Sequence, residues 1–148
     1  ITLRKRLNNL RDGMDIALAV IDIPKKQVSF AGAHNPLILV QNNSLQLIKG
    51  SALSIGGFIK NKSFKQHTLS LEGNSTLYLF TDGFQDQFGG SENRKFMKSR
   101  LRELLLNIHH QPMSTQQQIL QETIEDWMTE GNEKQIDDIL VVGLKFDF

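Results

Sequence analysis

The sequence predicts an α+β fold, a meander of antiparallel strands with helices laid on one sheet, and three observations carry that expectation. Between positions 16 and 80, short runs rich in Val, Ile, Leu, Phe and Tyr alternate with turn residues. From 94 to 131 the apolar period becomes that of helices, and a last apolar run occupies 136–146. Strands, then two helices, then one more strand indicate helices laid on antiparallel sheet rather than alternating βαβ units.

The elements follow in order. In ITLRKRLNNL (1–10), Ile1, Leu3, Leu7 and Leu10 recur near helical spacing, and DGMD (12–15) then turns the chain. IALAVIDI (16–23), KQVSFAGA (26–33), PLILVQ (36–41), LQLIKG (45–50), FKQHTLSL (64–71) and STLYLF (75–80) read as strands of a meander. KQVSFAGA alternates apolar and polar residues. IALAVI and LYLF are nearly continuous, which predicts central strands buried on both faces. Met97, Leu101, Leu104, Leu105 and Ile108 form one apolar stripe, with Lys98, Arg102 and Glu103 on the wet side. STQQ (114–117) suits a capping box between Ser114 and Gln117. Ile119, Leu120, Thr123, Ile124 and Trp127 then mark a second helix that ends near Gly131. IDDILVVGLKF (136–146) is the closing strand, with Asp137 and Asp138 at its entrance.

Composition narrows the function classes. At 148 residues the chain suits one domain, which would bury roughly 68–70% of its unfolded surface. Lys and Arg number 17 against 16 Asp and Glu, a formal net charge of +1, so no global field draws nucleic acid or a membrane surface. Cations interleaved with stacking aromatics, as single-strand binding requires, are missing. With no cysteine there is neither a disulfide framework nor a thiolate metal site, which fits a reducing compartment such as the cytoplasm. No apolar run approaches the ~20 residues that cross a bilayer.

The acids at strand ends raise the chemical question. In TLYLFTDG (76–83) Asp82 stands where a core strand leaves the interior, and Gly83 keeps bulk away from whatever the acid faces. Asp137 and Asp138 hold the matching place beside another core strand. If the two strands are neighbours, the carboxylates meet at one rim. A hard divalent cation suits such oxygen ligands. Taken by their spacing alone, the residues favour a plain Asp-Gly turn bonded to local amides and a simple helix-to-strand loop over a metal site.

Taken together, DGMDIALAVID (12–22), FAGAHNPLIL (30–39), LYLFTDGFQDQFGG (77–90), RKFMKSRLRELL (94–105) and QIDDILVVGL (135–144) resemble the C-terminal two-thirds of the bacterial type 2C metal-dependent serine/threonine protein phosphatases. The likeness is to the sporulation and stress-response type. It implies a four-layer α/β/β/α sandwich whose N-terminal part is missing here. It also implies hydrolysis of phosphoserine or phosphothreonine by a water held between two Mn²⁺ or Mg²⁺ ions. Asp82 matches the family's TDG aspartate and Asp137 the first acid of its late Asp-Asp motif, both as metal ligands. Gly83 permits close approach, and Asp138 supports from behind. The family's earlier Gly-Asp-x-x-Gly-His-Gly motif, whose aspartate bridges the ions, does not occur, so the chain alone is expected to be inactive or nearly so.

The resemblance further implies a phosphorylated regulatory protein as substrate, such as an anti-sigma-factor antagonist. It implies an upstream sensor domain as well, the whole being a cytoplasmic output module, with a homodimer through unpaired edges as a further expectation. The rival expectation is a phosphatase-like module that binds a partner and performs no chemistry. His34 and Asn35 are read mainly as turn residues, with contact to substrate phosphate as the lesser reading, and Asp12 and Asp15 mainly as turn acids, with a place near the metal rim as the lesser one. Asp86, Gln87 and Phe88 are typical of the family, Asp86 suiting a brace for the Asp82 loop and a plain loop bond equally. His67 is read as exposed, and His109 and His110 as the end of a helix.

Overall fold

The computed structural model describes residues 13–56 and 63–148, so Asp12 and the helix expected over 1–10 lie outside the described residues. The strands are β1 (Ile16–Asp22), β2 (Gln27–Ala33), β3 (Leu37–Gln41), β4 (Ser44–Ile48), β5 (Gln66–Ser70) and β6 (Asn74–Phe80). A short helix α1 (Gly83–Asp86), a hairpin of β7 (Phe88–Gly89) and β8 (Arg94–Lys95), helices α2 (Lys98–Ile108) and α3 (Met113–Glu130), and β9 (Val141–Asp147) complete the chain. They fall into two compact units, Ile1–Leu37 with Leu47–Leu71, and Ile38–Gln46 with Glu72–Phe148.

The first unit is built on the antiparallel sheet β1-β2-β5. The alternation in KQVSFAGA turns Val28 and Phe30 to one face, where both are fully buried. Contrary to expectation, β1 is an edge strand among the described residues rather than a central one, and Leu18 and Val20 are 57% and 59% exposed. A continuous apolar run does not distinguish an edge from a centre when alternate positions carry alanine, as Ala17 and Ala19 do here. His67 is also not exposed as read: register sets it opposite Phe30, its ring lies 6.3 Å from that ring, and its Nε2 is buried without a hydrogen-bond partner.

The second unit carries the sheet β4-β3-β6-β9. Asn42 and Asn43 join β3 to β4 with φ of 51° and 55°, the left-handed pair that a two-residue hairpin needs. Here the expectation of a central strand holds, for β6 lies between β3 and β9 and buries Leu77 and Tyr78 almost completely. It pairs antiparallel with β9 from Asn74 opposite Asp147 to Phe80 opposite Val141. Leu101, Leu105 and Ile108 of α2 and Ile124 of α3 are buried as the stripes predicted. Met97 departs from its stripe: it precedes the helix at φ 83° and is 52% exposed.

The Ser114 capping box does not form. Pro112 is the cap of α3, which places Ser114 inside the first turn and aims Gln116 inward. That glutamine accepts from the Tyr78 hydroxyl at 2.6 Å and donates to the carbonyls of His109 (3.1 Å) and Gln111 (2.9 Å), satisfying the end of α2. No described helix is long and apolar enough to cross a membrane.

Burial pushes the phenol of Tyr78, the sole tyrosine, above its ordinary value of 10. A folded-state value above the unfolded one means that the neutral phenol's contribution is complete below pH 10 and is lost as pH rises beyond it. Melting temperature followed from about pH 8 to about pH 11 should therefore fall more steeply in the wild type than in Tyr78→Phe. Parallel curves would dismiss this contribution.

Candidate active site

The candidate site grows from the point where β6 ends. Phe80 is still buried, Thr81 is half-buried, and Asp82 is exposed at the head of α1. The Asp82 backbone is already helical (φ −74°, ψ −13°), and its carboxylate makes no capping bond. The turn reading, in which this carboxylate bonds its own neighbouring amides, is therefore not what the structure adopts at Asp82.

On the facing side the closing strand starts later than its apolar run suggested. β9 begins at Val141, and Asp137 and Asp138 lie in the segment before it. Lys134 through Asp138 all expose their side chains, and Ile136 is 57% exposed, so the run 136–140 is not core. At Asp137 the local reading does apply in part, because one carboxylate oxygen accepts the amide of Asp138 at 2.8 Å. The other oxygen remains available.

Hydrogen bonds draw the two acidic segments together although fifty-odd residues separate them. The Thr81 amide donates to the Leu140 carbonyl (3.1 Å), its hydroxyl donates to the Asp138 carbonyl (2.9 Å), and the same hydroxyl accepts the Leu140 amide (3.1 Å). Gly83 lies so close that a Cβ there would stand 2.4 Å from the Asp138 carbonyl oxygen and 2.9 Å from its carbon. The glycine is required by space, since its backbone sits in a helix. The TDG and IDD segments thus adjoin at one end of the β6–β9 ladder.

The other described residues singled out bond within their own units. Asp86 pairs with Lys95 at 3.4 Å, while its amide donates to the Asp82 carbonyl. Asp15 accepts the Ser54 hydroxyl at 2.8 Å beside the Met14–Ile55 bridge of the first unit. His34, at φ 59°, and Asn35 form a turn of that unit, the His34 amide donating to the Ser51 carbonyl. His109 and His110 close α2. Among the described residues no group of three or more His, Cys, Asp or Glu is placed to hold a metal ion. Sequence reasoning missed Thr81 as a bonding group, though a hydroxyl between a buried strand and an acid is a usable signal.

The donor chemistry fits a hard divalent cation in kind. The exposed carboxylates of Asp82 and Asp137 suit Mg²⁺ or Mn²⁺, and the bare backbone of Gly83 lets the segment that carries Asp137 and Asp138 come close.

Comparison with known proteins places the chain in a family and a fold. The family model described as Stage II sporulation protein E (SpoIIE) matches residues 2–147. The PP2C domain of SiaA from Pseudomonas aeruginosa is 30% identical, superimposes with a TM-score of 0.86, and is matched over 97% of this chain and 56% of its own length. The SpoIIE phosphatase domain of Bacillus subtilis, presoaked with Mn, is 14% identical at a TM-score of 0.66, over 90% of this chain and 56% of its own. RsbX in complex with magnesium is likewise 14% identical, with a TM-score of 0.58 and coverage of 97% and 61%. The chain therefore spans less than two thirds of each of these solved structures. No curated protein matches it.

Proposed function

Because this chain belongs to the SpoIIE family of PP2C-type phosphatases, we propose that it forms part of a metal-dependent serine/threonine protein phosphatase, the output module of a signalling protein. Asp82 and Asp137 hold the metal, Asp138 supports Asp137, and Gly83 leaves room for the two segments to meet. One observation carries the reading: Thr81 bonds the first acidic segment directly to the second, and Gly83 has no Cβ to hold them apart.

When bound, Mn²⁺ or Mg²⁺ supplies a nucleophile at neutral pH and offsets charge on the phosphoryl group. The chain's part is to present carboxylates at a fixed separation and to leave them open to solvent. That exposure suits a phosphoserine or phosphothreonine presented by another protein, which we take to be a regulatory protein such as an anti-sigma-factor antagonist. Two carboxylates are an incomplete cage for an ion reluctant to shed water, so the 148-residue chain by itself should turn over slowly or not at all.

A second reading, a partner-binding module without chemistry, draws on the small number of ligands among the described residues. Metal removal separates the two. The complete protein should hydrolyse a phosphoserine peptide with Mn²⁺, stop on chelation, and recover when Mn²⁺ is restored. Peptide binding that persists without any turnover at saturating Mn²⁺ would favour the binding module.

A further inference from the structure

Resting on the metal reading of Asp82 and Asp137, we infer that the side chain of Gln87 is a positioning group that sets where Asp137 stands. The segment Lys134–Asp138 cannot be placed by hydrophobic burial, because all five of its side chains are exposed. Hydrogen bonds hold it instead. At its downstream end it is fixed by Thr81, and on its upstream side by Gln87, which is 0% exposed and follows α1 directly.

The Gln87 amide group donates to the Lys134 carbonyl at 2.9 Å and to the Phe88 carbonyl at 3.0 Å, and its oxygen accepts the Ile136 amide at 3.2 Å. One side chain thus grips the backbone on both sides of Gln135, and the grip ends one residue before Asp137. Gln87 is itself immobilised. Its main-chain carbonyl accepts the Phe96 amide at 2.9 Å and the Trp127 indole N–H at 3.2 Å. Trp127 is in turn packed edge-on against Phe96, at 5.4 Å between ring centres, and under Arg100 at 4.6 Å.

Gln87 touches neither carboxylate. It nevertheless lies five residues after Asp82 and binds the residue before Asp137, so the separation of the two acids is set through it. A buried glutamine needs partners in any protein, and that alone would make it structural. The choice of partners makes it a positioning residue: two of its three bonds go to the exposed segment that carries the second acid. Outer groups of this kind change metal affinity by about 10–100-fold when removed.

The test uses Gln87→Met in the complete protein, a substitution of similar size that removes all three bonds. Mn²⁺ affinity is read from the spin-resonance signal of the free ion, alongside thermal melting without metal. A cooperative melt with affinity weakened about tenfold or more, and kcat retained once Mn²⁺ is saturating, is the expected result. A purely structural role would lower the active fraction at every Mn²⁺ concentration and leave the half-saturating concentration unmoved.

Asp82→Asn and Asp137→Asn are run beside it. If both bind Mn²⁺ like the wild type, the metal reading fails and this inference with it; if they lose binding while Gln87→Met keeps it, the positioning role alone is overturned. Should Gln87→Met not melt cooperatively, hydrogen exchange at the Ile136 amide of the wild type decides. Strong protection is expected, and exchange at the rate of an open chain would refute the grip.

Discussion

In the complete protein, Gly83→Ala is expected to separate the TDG and IDD segments, lowering the melting temperature and cutting metal-dependent turnover together. The added methyl carbon would stand 2.4 Å from the Asp138 carbonyl oxygen, a distance that real Cβ atoms do not show. The obstacle is backbone, so no side chain can swing aside. Either α1 or the 137–140 segment must shift, and the Thr81 bonds to Asp138 and Leu140 stretch with it. Overpacking of this kind costs about 1–3 kcal/mol, or several degrees of melting temperature at roughly 2–4 °C per kcal/mol. A shift of about 1 Å between the acids is enough to cost activity of order 100-fold.

Gly143→Ala supplies the control. A Cβ there would come equally close, 2.5 Å, to the terminal methyl of Met113, but that methyl ends a flexible side chain. The control should melt near the wild type and keep its activity. Equal losses in the two variants would show that the Gly83 contact has no special bearing on the site.

Several features of the fold were legible because period and burial agree. STLYLF reads as buried and lies inside its sheet, and the stripe of Leu101, Leu105 and Ile108 reads as one face and is one face. Where the reading failed, the deciding interaction was not periodic. β1 carries the same apolar density as a central strand, yet position within a sheet is settled by pairing partners, which no single run contains. The polarity of its neighbours assigns His67 to solvent, but register with β2 sets it against Phe30.

The boundary of β9 moved for a related reason. Ile136 and Leu140 extend the apolar run, while the backbone there is committed to Gln87 and Thr81 instead of to a neighbouring strand. The acids themselves were legible as acids beside core strands. Their adjacency was only a conditional expectation, since it depends on which strands pair. The groups that enforce it, Thr81 and Gln87, are ordinary polar residues whose partners lie 47–59 positions away.

Asp82→Asn should abolish Mn²⁺-dependent hydrolysis while leaving the fold intact, and the structure explains why the two effects divide so cleanly. The Asp82 carboxylate is exposed and makes no capping bond, so an isosteric amide breaks nothing that stabilises the chain. A surface change of that kind stays within about 0.5 kcal/mol. What it removes is one negative charge from a site with few ligands, and the expected loss in turnover is at least about 100-fold.

Asp137→Asn makes a sharper comparison. The oxygen that accepts the Asp138 amide survives in asparagine, so the local turn is preserved and only the charge and the second oxygen's basicity are lost. Both variants should therefore melt like the wild type, and raised Mn²⁺ should restore each only in part. If either retained full turnover at limiting Mn²⁺, its carboxylate would not be holding metal. A collapse in melting temperature on Asp137→Asn would instead show that this acid serves the turn, leaving Asp82 to account for the chemistry with ligands from beyond the described residues.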